Sequence, residues 1–142
     1  MRYLLDVNAL LALAILEHEF HPRVANWVEG LAARGVPDLA TCSITELGFV
    51  RVLGQAQQHG SSVAQARELL LELKNSSRMR CTFIPDDRDI SCLPKWVRAP
   101  KQITDGHLAE LAKANEAVLA TLDRRIPGAF VIPQSRLSAK QR

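Results

Sequence analysis

The chain is predicted to be an α/β protein, a single domain with a mostly parallel central sheet flanked by helices. Three observations carry this. Short apolar runs of strand length alternate with longer stretches patterned at helical spacing. At 142 residues with 47% hydrophobic side chains, the chain is long enough to bury one genuine core. No internal repeat, low-complexity tract or interdomain linker interrupts it. The domain is placed at residues 1–135, with 136–142 as a basic C-terminal tail.

The first strand is read at residues 3–6, "YLLD", and a helix follows from about Ala9 to Glu19. His21-Pro22 opens a second helix, with proline where its missing N–H costs nothing. Its Val24, Trp27, Val28 and Leu31 share one face at i, i+3, i+4, i+7. "RGVP" ends that helix, and "DLATC" at 38–42 is a second strand. A third helix starts at Ser43. A fourth occupies "SSVAQARELLLELK", with Val63, Ala66, Leu69, Leu70 and Leu73 on its inner side. "CTFIP" at 81–85 is a third strand, and 86–103 is irregular with one short helical turn. "TDGHLAELAKANE" is a helix, "AVLATLD" a buried strand and "AFVIP" a last one.

Composition narrows the function classes. No apolar run reaches membrane-span length, and the N-terminus, a strand carrying Asp6, does not resemble a secretory signal. Cys42, Cys81 and Cys92 are an odd number without a CxxC pair, which reads as free thiols in a reducing compartment and argues against zinc or a disulfide framework. A cytoplasmic protein is expected. Net charge is +3, and no acid follows Asp123 while Arg124, Arg125, Arg136, Lys140 and Arg142 do.

Asp6 is the residue that asks for an explanation. A carboxylate at the end of a buried strand is costly unless it is paired or holds a cation. Asp123 ends the strand "AVLATLD", Asp105 opens a helix, and Glu46 lies in the first turn of another. In an open parallel sheet, ligands bind beyond the carboxyl ends of the strands, where helices also begin. Four acids from distant stretches would therefore meet at one crevice. Four bare carboxylates repel one another, so they must take up protons or bind cations. All-oxygen donors suit Mg²⁺ or Mn²⁺, one or two ions, and the chemistry that uses such a site is phosphate-ester hydrolysis, with water acidified and the leaving oxygen stabilised.

Each acid also has a plain structural reading. Ser43-x-x-Glu46 is a capping box, Asp105 suits a helix N-terminus, and Asp123 suits a turn. Asn8 either orients Asp6 or caps the following helix, and capping is favoured. Asp86, Asp87 and Asp89 read as loop or cap residues. His18 and His21 flank a helix junction in cap or surface roles, and neither His59 nor His107 is made a ligand. Arg124 and Arg125, just past Asp123, are candidates for phosphate contacts. A receiver-type signalling domain would need paired acids after the first strand, and a haloacid-dehalogenase-type phosphatase would need Asp-x-Asp where this chain has "DVN".

"LLDVNALLAL", "SITELGFVRVL", "TDGHLAELAKANEAVLATLD" and the final "FVIP" resemble the PIN-domain nucleases, and among them the VapC-type toxins of bacterial toxin–antitoxin pairs. The resemblance runs through essentially the whole chain in order. It matches Asp6 to the first-strand aspartate, Glu46 to the helix glutamate, and Asp105 and Asp123 to the two late aspartates. It also matches Thr121 to a position that is often polar and Asn8 to the Asn/Ser two after the first acid. The resemblance implies RNA cleavage with Mg²⁺ or Mn²⁺, tRNA or ribosomal RNA as target, and a 5′-phosphate and 3′-hydroxyl product. It further implies a cognate antitoxin that covers the site. The amphipathic helices of the first third would supply its docking groove or a homodimer face. The alternative is a non-catalytic RNA- or partner-binding domain. Of 15 acidic residues, setting the four aside leaves 11 against 18 basic ones, a balance of +7 that favours a polyanion. Aromatic residues are few, so extensive base stacking is not expected.

Overall fold

A computed structural model of the protein describes residues 1–56 and 62–134. His59 and the basic tail at 136–142 lie outside the described residues. Five strands form one sheet: β1 (Arg2–Leu5), β2 (Asp38–Cys42), β3 (Arg80–Ile84), β4 (Ala117–Thr121) and β5 (Phe130–Val131). Their spatial order is β3-β2-β1-β4-β5, and every pairing is parallel. The helices are α1 (Val7–Ala14), α2 (His21–Ala32), α3 (Ser43–Gln55), α4 (Val63–Lys74) and α5 (Ile103–Ala114). The predicted fold class stands, with a wholly parallel sheet in place of a mostly parallel one.

The order of strands decides where a ligand would sit. From β1 the chain steps outward through β2 to β3, then returns across the sheet to β4 on the other side of β1. Adjacent strands β1 and β4 are thus left by connections running in opposite directions, which opens a crevice beyond their carboxyl ends.

Alternation along β1 supplies both faces. Leu5 packs with α1, α2, α3 and α4 through Leu10, Val24, Trp27, Phe49 and Leu70. Leu4 faces the other way, with α5 residues Leu108, Leu111 and Ala112. Both leucines are essentially inaccessible to solvent, as a strand covered on two faces requires.

Two glycines bring elements unusually close to the crevice. A Cβ at Gly48 in α3 would come within 2.6 Å of Val7 Cγ2, so α3 lies tightly against the start of α1. A Cβ at Gly106 in α5 would run into Val97 Cγ2, so the segment before α5 is laid directly on that helix.

Several boundaries differ from the sequence reading. α1 begins at Val7 and ends at Ala14, because the Ile15 N–H closes on Leu11 and the chain then turns. Val63, expected on the inner face of α4, is 57% exposed, since it is the first helical residue and precedes the face that Ala66 and Leu70 bury. The last strand keeps only Phe130 and Val131, because only those two positions pair with β4.

Candidate active site

Asp6 ends β1 and begins α1 in a single residue. Its backbone N–H still bonds to Ala120 O of β4 at 3.2 Å, while its carboxylate accepts the Ala9 N–H at 2.8 Å and caps α1. This corrects the expectation for Asn8, which stands exposed at the second helical position; the aspartate itself is the cap. Capping alone does not account for Asp6, because it is only 8% exposed and burial pushes its pKa up. The Thr121 hydroxyl and the Ala9 N–H partly offset that rise, and the negative charges of Asp105 and Asp123 add to it.

Asp105 lies in the first turn of α5, two residues after the helix begins, half-exposed. Burial raises its pKa, Asp123 raises it further, and Arg125 opposes the rise. Asp123 shows the reverse. The Arg125 guanidinium forks onto its carboxylate at 3.0 and 3.1 Å, and the Arg125 N–H bonds it at 2.9 Å, which holds Asp123 below the usual carboxylate range. Three carboxylates from β1, α5 and the end of β4 therefore feel one another at the crevice between β1 and β4.

Thr121 bears on two of them. It is fully buried on β4, its hydroxyl counters the rise in the Asp6 pKa, and its oxygen accepts the Asp123 N–H at 3.0 Å. One side chain thus eases the charge on Asp6 and holds the turn that presents Asp123.

Glu46 is positioned from the neighbouring strand. The sequence offered Ser43-x-x-Glu46 as a capping box, but Ser43 is already helical. Cys42 is the cap, and the Thr45 hydroxyl accepts its N–H at 3.0 Å. Glu46 is thereby left out of the cap. Its carboxylate accepts from the Thr41 hydroxyl on β2 and from Lys74 Nζ of α4 at 2.6 Å. Thr41 on β2 and Thr121 on β4, the two neighbours of β1, are both buried, and Thr41 donates to Glu46.

Among the described residues, no three Asp, Glu, His or Cys side chains stand close enough to share one ion as they are oriented. The side-chain pairings show why. Glu46 is turned to Lys74, and Asp123 is turned to Arg125, so the chain's own cations hold two of the four acids. The donor set is all oxygen, one member is buried, and two have raised pKa values, which fits a hard divalent cation. Arg124 is exposed beside the site.

The remaining candidates take structural roles. His107 pairs with Asp86, Asp87 pairs with Arg88, and Asp89 caps the short helical turn Ile90–Cys92. His21 Nδ1 bonds Ala12 O at 2.7 Å, and His18 Nδ1 accepts the Phe20 N–H. Cys42, Cys81 and Cys92 are free thiols. No helix among the described residues is long and apolar enough to cross a membrane.

Comparison with known proteins agrees with this architecture. The family model described as PIN domain matches residues 3–129. Ribonuclease VapC44 of Mycobacterium tuberculosis is 39% identical over 131 residues, covering 89% of this chain and 89% of that protein. Ribonuclease VapC38 of the same species is 38% identical over 137 residues, covering 94% and 91%. Among solved structures, VapBC2 from Rickettsia felis, bound to a DNA fragment from its promoter, superposes with a TM-score of 0.57 at 20% identity, covering 92% of this chain and 96% of that one. Mycobacterium tuberculosis VapC20, a toxin that cleaves the sarcin–ricin loop, superposes at 0.61 with 14% identity, covering 94% and 99%.

Proposed function

This chain belongs to the PIN-domain family as a VapC-type ribonuclease toxin, and from that premise we propose that Asp6, Glu46, Asp105 and Asp123 hold one or two Mg²⁺ or Mn²⁺ ions for RNA hydrolysis. The observation that carries this reading is the mutual electrostatic pressure at the β1–β4 crevice. Burial and the neighbouring carboxylates raise Asp6 and Asp105 together, a cost that only protons or cations relieve. Bound there, divalent ions would acidify the attacking water and stabilise charge on the scissile phosphodiester and its leaving oxygen.

The chain's own residues do the rest. The Ala9 N–H holds the Asp6 carboxylate, and Thr121 holds the turn that carries Asp123. Gly48 and Gly106 let α3 and the segment before α5 close on the crevice, which fixes Glu46 and Asp105. Arg125 neutralises Asp123 until a stronger cation competes for it, and its guanidinium is then available to a phosphate beside Arg124. Asn8, exposed two residues after Asp6, is a supporting polar group at the rim.

The assigned substrate is a cellular RNA, tRNA or ribosomal RNA, in the cytoplasm. The sarcin–ricin specificity of the VapC20 neighbour and the basic excess of this chain support that class. A cognate antitoxin is the expected protein partner, supported by the VapBC2 assembly, and a homodimer is proposed with it. Leu16, 75% exposed, and Phe20, 38% exposed, offer apolar contact area between α1 and α2.

The test is incubation of antitoxin-free protein with total RNA, with Mg²⁺, with Mn²⁺ and with EDTA. Discrete fragments in the metal lanes alone are expected, and their ends name the target. Intact RNA in every lane, from folded protein, would favour a binding domain instead. Thr121→Val keeps the shape but leaves the Asp123 N–H without its acceptor and removes the hydroxyl that counters the rise in the Asp6 pKa. Cleavage should fall by about 10- to 100-fold, mostly in kcat. An unchanged kcat would remove Thr121 from the site.

A further inference from the structure

Within the stretch 86–103, read in the sequence as irregular, the part from residue 90 onward forms a wall of the site. It contains no acid, three bases (Lys95, Arg98 and Lys101) and one tryptophan, Trp96. The contact between Val97 and Gly106 lays this segment along α5, immediately beside Asp105. Between the segment and the acids lies a cleft of about 220 Å³, lined by Trp96, Lys101, Gln102, Asp105, Asp123, Arg125 and Ile126.

The lining is chemically mixed in a way that suits one kind of occupant. Trp96 is half-buried and, with Ile126, supplies the apolar surface. Gln102 is held in place because its side-chain oxygen accepts the N–H groups of Arg98 and Ala99, at 2.8 and 3.1 Å. Its amide nitrogen makes no hydrogen bond among the described residues, and Gln102 lines the cleft, so a held side chain brings a donor to it. Lys101 is exposed and forms no ion pair among the described residues. A flat apolar surface, a fixed amide donor and a cation at the edge of a phosphodiester site match a nucleobase together with its phosphate.

Resting on the ribonuclease reading above, we propose that this cleft is a nucleotide subsite of the RNA substrate. The base next to the scissile phosphate stacks on Trp96 and accepts a hydrogen bond from Gln102, and Lys101 meets the adjoining phosphate. Scarcity of aromatic residues across the chain argued against extensive stacking, and the subsite needs only one. The cleft also gives the irregular segment a function: it selects which nucleotide the acids reach.

The test uses a 5′-fluorescein-labelled single-stranded RNA 12-mer of mixed sequence, in Mg²⁺, on an Asp6→Asn background so that the RNA stays intact. Trp96→Ala should weaken binding by about tenfold or more, and Trp96→Phe should retain most of the affinity. Lys101→Ala should weaken binding and lower the salt slope of log K by about one phosphate contact. Gly106→Ala, which pushes Val97 and its segment off α5, should weaken binding in parallel while circular dichroism stays helical. Unchanged affinity in both Trp96→Ala and Lys101→Ala overturns the subsite, whether or not RNA is cleaved. Failure of the nuclease reading is seen separately, as absence of metal-dependent cleavage by the protein with Asp6 restored.

Discussion

Asp6→Asn is expected to abolish RNA cleavage, by at least about a hundredfold in kcat, and to leave the metal-free protein more heat-stable. The two effects have one origin. Asp6 is buried beside two other carboxylates, so its charge is useful only when a cation answers it. Asparagine keeps the side-chain oxygen that caps α1 at Ala9, and asparagine and aspartate are near-equal caps. Removing the charge without the cap should raise Tm by a few degrees. Asp6→Ala is the informative partner: it loses the charge and also the cap, about 1 kcal/mol, so its gain should shrink or vanish. Calorimetry of the three proteins in EDTA, beside a cleavage assay, checks this. A wild-type rate in Asp6→Asn would remove Asp6 from catalysis.

The pH dependence of that stability has a definite sign. Asp6 and Asp105 have folded pKa values raised above 3.8. Their neutral forms favour the folded state, so their contribution is fully present below 3.8 and is lost as pH rises through the raised values. Asp123 runs the other way, since its lowered pKa gives stability above 3.8 that disappears under acid. The advantage of Asp6→Asn over the wild type should therefore be greatest near neutral pH and disappear toward pH 3.8.

Divalent cation is expected to stabilise the wild type strongly and the Asp6→Asn variant much less. An ion at a hundred times its Kd adds about 2.7 kcal/mol, which for a chain of this size is about 5–10 °C in Tm. Mn²⁺ titration followed by thermal unfolding measures it, and EDTA reverses it. The apparent affinity should fall as pH drops, because protons compete for Asp6 and Asp105. It is also set by internal competition: Lys74 must yield Glu46, and Arg125 must yield Asp123, before the full donor set is free. Equal shifts in wild type and variant would mean that the ion binds elsewhere.

Much of this was legible in the order of residues. Leu4 and Leu5 alternate onto opposite faces of a strand, and apolar spacing along α2 and α5 marks their buried sides, so the α/β class follows from periodicity alone. Asp6 and Asp123 stand at strand ends and Asp105 and Glu46 at helix starts, and a parallel sheet gathers those positions at one edge. What spacing does not carry is partnership across distance. Lys74 reaches Glu46 from 28 residues away, and Cys42 with Thr45 displaced the expected Ser43 cap through a difference of one residue in where α3 begins.

The sequence by itself determined the fold class and the gathering of Asp6, Glu46, Asp105 and Asp123 toward one edge of the sheet, because each depends on local pattern and chain order. Only the tertiary structure decided which groups answer those acids. Thr121 holds the turn that carries Asp123, Arg125 and Lys74 occupy two carboxylates, and Gly106 lets the segment with Trp96 and Lys101 lie at the cleft. These are contacts between side chains far apart in sequence, whose energies depend on ångström-scale separation and burial.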